Sequence, residues 1–205
     1  MLDHVFLDLI AAMRRRFAEA LLERQAVEER FQADVLLGDL SWETSYSLPG
    51  EGGHPRVRAD LSLDWPTWSQ SAYRSWSIGE PPDDQPELLV EIALRIQRLA
   101  AAPEPSTVVE ALPGEAPAVG ADVLERSGIT VEQAFDEALD HPHWAVEISY
   151  EGAYRLEESA LEDPGCLDGH VAALARWVAS ALVRLGDLEL TFLPPGEVGD
   201  EADQP

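Results

Sequence analysis

The chain contains no lysine and no asparagine, and only one cysteine and two methionines. All 14 basic residues are therefore arginine. The joint loss of lysine and asparagine is what a GC-rich coding sequence produces, so it is background and carries no chemistry. A single cysteine, Cys166, excludes an internal disulfide and any cysteine-based zinc pattern. Basic charge is the third shortage: 14 bases stand against 39 acids, for a net charge of −25. Codon bias does not explain that deficit, because arginine could have replaced lysine. Residues 1–100 carry 17 acids and 10 bases, whereas 101–205 carry 22 and 4. Such a field repels phosphate backbones and anionic lipid and favours basic partners. Direct nucleic-acid binding and membrane association are not expected. The N-terminal stretch MLDHVFLDLIAAMRRRF lacks the early positive charge and cleavage site of a signal peptide. No apolar run is read as long enough to span a bilayer, and a cytoplasmic location is expected.

What is present fits one domain. With 205 residues, 45% of them hydrophobic, the chain can bury one core. Residues 1–193 are read as a single α+β domain with a proline-rich crossing at 102–118, and 194–205 as a mobile acidic tail.

Leu2, Val5, Phe6, Leu9, Ile10, Met13, Phe17, Ala20 and Leu21 recur at steps of three and four, predicting an amphipathic helix from about 2 to 32. The period then becomes two. Residues 40–48 and 57–65 alternate apolar with polar and predict two strands joined by the loop PGEGGHP, and YRSWSI predicts a third. Pro66 is expected to interrupt pairing between the second and third. Residues 86–100, with Leu88, Ile92, Ile96 and Leu99 on one face, read as a helix. One or two short helices are expected within 119–139, with Thr130 capping VEQAFDEAL. HWAVEISYEGAYRLEE reads as two strands around a Glu-Gly turn. DGHVAALARWVASALVRLG is a strong helix with Asp168 as its N-cap, and LELTF adds a last strand. The predicted fold is an antiparallel sheet of five or six strands packed with amphipathic helices, in the order α-βββ-α-(α)-ββ-α-(β).

Residues 58–76 gather three of the six tryptophans. On a strand Trp65 faces the core, and Tyr73 has the opposite parity to Trp68 and Trp76, so at least one large aromatic is expected on an outer face. Aromatics concentrate at the energetic centres of interfaces. Trp68, Tyr73 and Trp76, with Asp60 and Asp64 beside them, are the candidate partner-binding residues.

Catalytic signals are weaker. DHPHW places His141 and His143 two apart, and with His170 and nearby acids they are candidates for a divalent metal; Pro142 makes a turn an equal reading. Cys166 and His170 would be neighbours only if the last helix began before Cys166. With 39 acids, close carboxylate pairs arise without selection. The loop PGEGGHP has no following lysine and opens no helix, so it is no phosphate cradle. No catalytic residue and no cofactor is expected.

The element order and the acidity together resemble those of small acidic chaperones of type III secretion effectors. That resemblance implies a non-catalytic protein, commonly a homodimer, that holds an extended segment of another protein. The functional expectation is a chaperone-like or adaptor protein binding a basic or extended segment through an aromatic sheet surface and an acidic face. The alternatives are an immunity protein that masks a basic toxin such as a nuclease, and a metal-dependent enzyme built on the histidines.

Overall fold

The computed structural model describes residues 2–22, 27–36, 38–48, 55–135, 142–157 and 163–193. The N-terminal apolar stripe forms helix α1 (Leu2–Leu21), which buries Phe6, Leu9, Ile10, Met13, Phe17 and Leu21. The helix stops ten residues sooner than its charged continuation suggests, and Val27–Leu36 is strand β1, paired with β2 (Asp39–Ser47). Strand β3 (Val57–Trp65) follows and pairs with β2 as the alternation predicts, Trp42 opposite Leu63 and Tyr46 opposite Ala59.

From Pro66 onward the local reading is corrected. Pro66 caps a helix, α2 (Thr67–Ser77), and YRSWSI is its second half. Asp39 replaces the missing proline-side cap, accepting from the Thr67 N–H at 2.6 Å and from its hydroxyl at 2.7 Å. The Asp39 carboxyl is held below its ordinary range by these bonds.

Residues Glu87–Leu99 form strand β4 in place of the expected helix. Leu88, Val90, Ile92, Leu94 and Ile96 are all buried. Leu88, Ile92 and Ile96 satisfy both a helical and a strand period, but Val90 and Leu94 satisfy only the period of two.

The proline-rich crossing contains a short helix, α3 (Pro105–Ala111), anchored by the buried Val108, and a small ribbon of β5 (Ala118–Val119) and β6 (Asp122–Val123). Strand β7 (Glu125–Ala134) stands where short helices were expected, and Thr130 pairs opposite Glu147 instead of capping a helix.

HWAVEISYEGAYR is one continuous strand, β8 (His143–Arg155). The predicted Glu-Gly turn is absent because Gly152 serves a close approach: a Cβ there would lie 2.8 Å from Leu124 Cδ2. Helix α4 (Pro164–Gly186) begins four residues before the expected cap, and Asp163 takes that role by accepting from the Gly165 N–H at 2.8 Å. LELTF contributes only a single bridge, Phe192 to Leu99. The expected tail, 194–205, lies outside the described residues.

The result is an α+β fold with a six-stranded, wholly antiparallel sheet ordered β1-β2-β3-β4-β8-β7. Helices α1 and α4 cover one side. Phe17 stacks on Tyr46 with ring centroids 5.2 Å apart, Phe6 lies against Trp65, and Trp177 meets Tyr150 edge-on at 5.1 Å. Arg15 and Arg16 of α1 both bind Asp168 of α4, tying the two helices together. Helix α4 is long and apolar enough to cross a membrane by length and composition, contrary to the expectation that no such run exists; its apolar face is packed in this core.

Candidate binding face

Because α1 and α4 occupy one side of the sheet, strand alternation leaves the polar set on the other. Strand β3 sends Val57, Ala59, Leu61, Leu63 and Trp65 to the core and Arg58, Asp60, Ser62 and Asp64 to the open face. The register carries that face across the sheet. One row runs Glu43, Ser62, Glu91, Glu151 and Glu125; the next runs Ser45, Asp60, Ala93, Ser149 and Gly128; a third runs Ser47, Arg58, Arg95, Glu147 and Thr130, with Ser45 and Ser47 buried at the β2 end.

Two rows neutralise themselves. Arg58 Nε donates to Asp60 at 2.7 Å, the Ser45 hydroxyl donates to the same carboxylate, and Arg95 donates to Glu147 at 2.6 and 3.0 Å. Ser45, Arg58, Asp60 and Arg95 line a depression of about 330 Å³ over β2, β3 and β4. The first row has no such balance beyond β3. Glu91, Glu151 and Glu125 are exposed, stand opposite one another on adjacent strands, and make no ion pair among the described residues. Like charges placed so oppose folding by a few tenths to about 1 kcal/mol per pair. The row ends at β7, whose outer edge has no strand beside it among the described residues.

The residues singled out by sequence do not form one surface. Trp65 and Tyr73 are in the core, with rings 5.4 Å apart and edge-on. Trp76 packs edge-on against Tyr73 at 5.9 Å and is partly buried. Only Trp68 is largely exposed, at 47%. The parity argument fails because 67–77 is helical: 69, 72, 73 and 76 share one inward face at steps of three and four. Asp60 and Asp64 do lie on the open face, Asp60 already paired with Arg58 and Asp64 opposite Ser41 and Leu89. Sequence reading missed Glu91, Glu125 and Glu151, whose signal was the strict alternation of β4 and β8.

The histidines do not converge. His143 opens β8, and His170 touches Tyr154 eleven residues along the same strand, roughly 35 Å away at about 3.3 Å per residue. His141 lies outside the described residues. No group of three or more His, Cys, Asp or Glu that could hold a metal occurs among the described residues.

The early start of α4 does bring Cys166 and His170 together. Cys166 Sγ lies 3.5 Å from His170 Nε2, and His170 Nδ1 lies 3.0 Å from the Tyr154 hydroxyl. Burial pushes the Tyr154 phenol up to about 12, with the neighbouring Cys166, Glu157 and Asp122 adding to it. Gly120, at φ 62°, closes over the imidazole so tightly that a Cβ would sit 2.9 Å from Nδ1.

Compared with family models, curated proteins and solved structures, the chain matches none.

Proposed function

We propose that the protein is a non-catalytic protein-binding protein, chaperone-like or adaptor in kind, that holds an extended basic segment of a partner on the open face of its sheet. The observation that carries this reading is the unbalanced row Glu91–Glu151–Glu125, which crosses three strands and ends at β7, the last strand of the sheet among the described residues. An extended basic segment laid over the open face along that row would meet the three glutamates in turn. The reading also draws on the resemblance to secretion chaperones: the chain opens with the same helix, three strands and helix, and departs from that order at β4, α3, β5 and β6. The reading places contact on the open face and gives the aromatics other than Trp68 to the core.

A test uses two labelled peptides, one alternating arginine with valine and the other alternating glutamate with valine, followed by fluorescence anisotropy at low and high salt. The basic peptide binds, the acidic one does not, and salt weakens the complex. The Glu91→Gln, Glu151→Gln double variant loses most of the affinity. Equal binding of both peptides, or a variant that binds as the parent does, would refute the reading. The immunity-protein alternative predicts instead that a folded basic nuclease is inhibited while the extended peptide is ignored.

A further inference from the structure

Cys166 is the chain's one thiol, and the fold sets an imidazole beside it. Pro164 and Gly165 start α4, so Cys166 and His170 are one helical turn apart and meet at Sγ and Nε2. Two contacts from other elements, and its own helix, hold the ring. Tyr154 of β8 binds Nδ1, Gly120 of the β5–β6 turn presses on its face, and α4 fixes its backbone. Tyr154 is almost wholly buried and stays protonated through neutral pH. Its oxygen can accept from Nδ1–H, which leaves Nε2 as the basic nitrogen facing sulfur. Cys166 itself is partly exposed.

We propose that Cys166 is a reactive thiol, with His170 as its base and Tyr154 as the residue that positions the base, and that it exchanges with neutral or cationic low-molecular-weight disulfides. In the step, the Cys166 sulfur bonds to one sulfur of the disulfide as its proton moves to His170 Nε2. The disulfide bond breaks, its electron pair leaves on the second sulfur, and that thiolate takes the proton from His170. The products are a mixed disulfide on Cys166 and one free thiol, with no net change in electrons. No second cysteine exists to resolve the adduct, so it persists until an external thiol reverses it. The charge preference follows from the surroundings: Asp163 capping α4, Asp122 on β6 and Glu157 after β8 outweigh Arg155, which Asp122 already pairs at 3.3 Å; Asp168, two residues on from Cys166, is taken by Arg15 and Arg16.

The test follows the rate of reaction with dithiodipyridine, first for the native chain and the same chain unfolded in urea, at several pH values. The native thiol reacts at least about tenfold faster near neutral pH, as general-base help provides. His170→Asn brings the rate down to that of the unfolded chain and changes the shape of the pH profile; Tyr154→Phe lowers it a few-fold. Cystamine forms the adduct faster than dithiodiglycolate, as read by intact mass. A native rate at or below the unfolded rate overturns the proposal without need of any variant. A His170→Asn protein that keeps both the parental rate and pH profile overturns the role of the imidazole, and preference for dithiodiglycolate overturns the assignment of the ligand class.

Discussion

Replacing Ser69 by alanine should destabilise the domain by roughly 3 kcal/mol, far more than an ordinary helix serine would. Ser69 is fully buried on α2, and its hydroxyl joins three elements: it accepts from Trp65 Nε1 at 3.2 Å and from the Glu87 N–H at 2.7 Å, and donates to the Glu87 carbonyl at 2.5 Å. Alanine leaves two donors and an acceptor without this partner, each costing about 1–3 kcal/mol where water cannot reach. A sum near the lower end is appropriate because Glu87 is only partly buried. With a urea slope of about 2 kcal/mol per molar for a domain of this size, the midpoint should fall by about 1.5 M. Ser71→Ala is the control, since Ser71 is exposed and bonds only to the Thr67 carbonyl one turn back; its midpoint should stay within about 0.3 M of the parent. Equal shifts for the two variants, or a Ser69→Ala shift no larger than that of the control, would refute the docking of α2 onto the start of β4.

The other consequences can be checked on the same purified protein. Trp76→Ala, which removes a ring packed on Tyr73, should cost about 2 kcal/mol, whereas Trp68→Ala should leave the urea midpoint nearly unchanged. Asp163→Ala removes the cap of α4 and should cost about 1 kcal/mol by thermal melting. Burial raises the Tyr154 phenol from 10.0 to about 12, so the folded chain holds that proton while the unfolded chain releases it. The stability is therefore complete below pH 10 and should fall by about 2–3 kcal/mol as pH rises to 12, with tyrosinate absorbance tracking the loss. Glu151→Gln relieves like charges opposite Glu91 and Glu125 and should raise stability by about 0.5 kcal/mol while weakening the basic peptide.

The fold class was legible in the sequence, whereas the α-βββ-α opening agrees in order only: the helix expected at 86–100 is β4, and the second helix is α2 at Thr67–Ser77. The helical period of α1 ran on into the charged stretch 22–32, hiding β1, while YRSWSI was counted as a strand. One missed strand and one false strand cancelled. Isolated apolar positions four apart, as at Leu88, Ile92 and Ile96, cannot distinguish the two periods, and the intervening Val90 and Leu94 decided for β4. Tertiary packing also settled what local rules could not. Gly152 looked like a turn residue because nothing nearby in sequence shows that Leu124 will lie against it. Asp168 looked like a cap because its true partners, Arg15 and Arg16, are more than 150 residues away.

The same distinction applies to the acidic excess, which composition presents as one quantity and the structure divides by use. Asp39 and Asp163 hold helix starts, Asp168 joins α1 to α4, and Asp60, Asp122 and Glu147 each meet an arginine. Those acids would be kept in a protein that bound nothing. Glu91, Glu125 and Glu151 are different, because their opposed placement works against the sheet that carries them. A solubility coat has no need of adjacent register: the same charges scattered over α1, α3 and the loops would repel aggregation equally well and cost the fold less. Their alignment across β4, β8 and β7 is the feature that a basic extended partner explains and that a solvated coat does not.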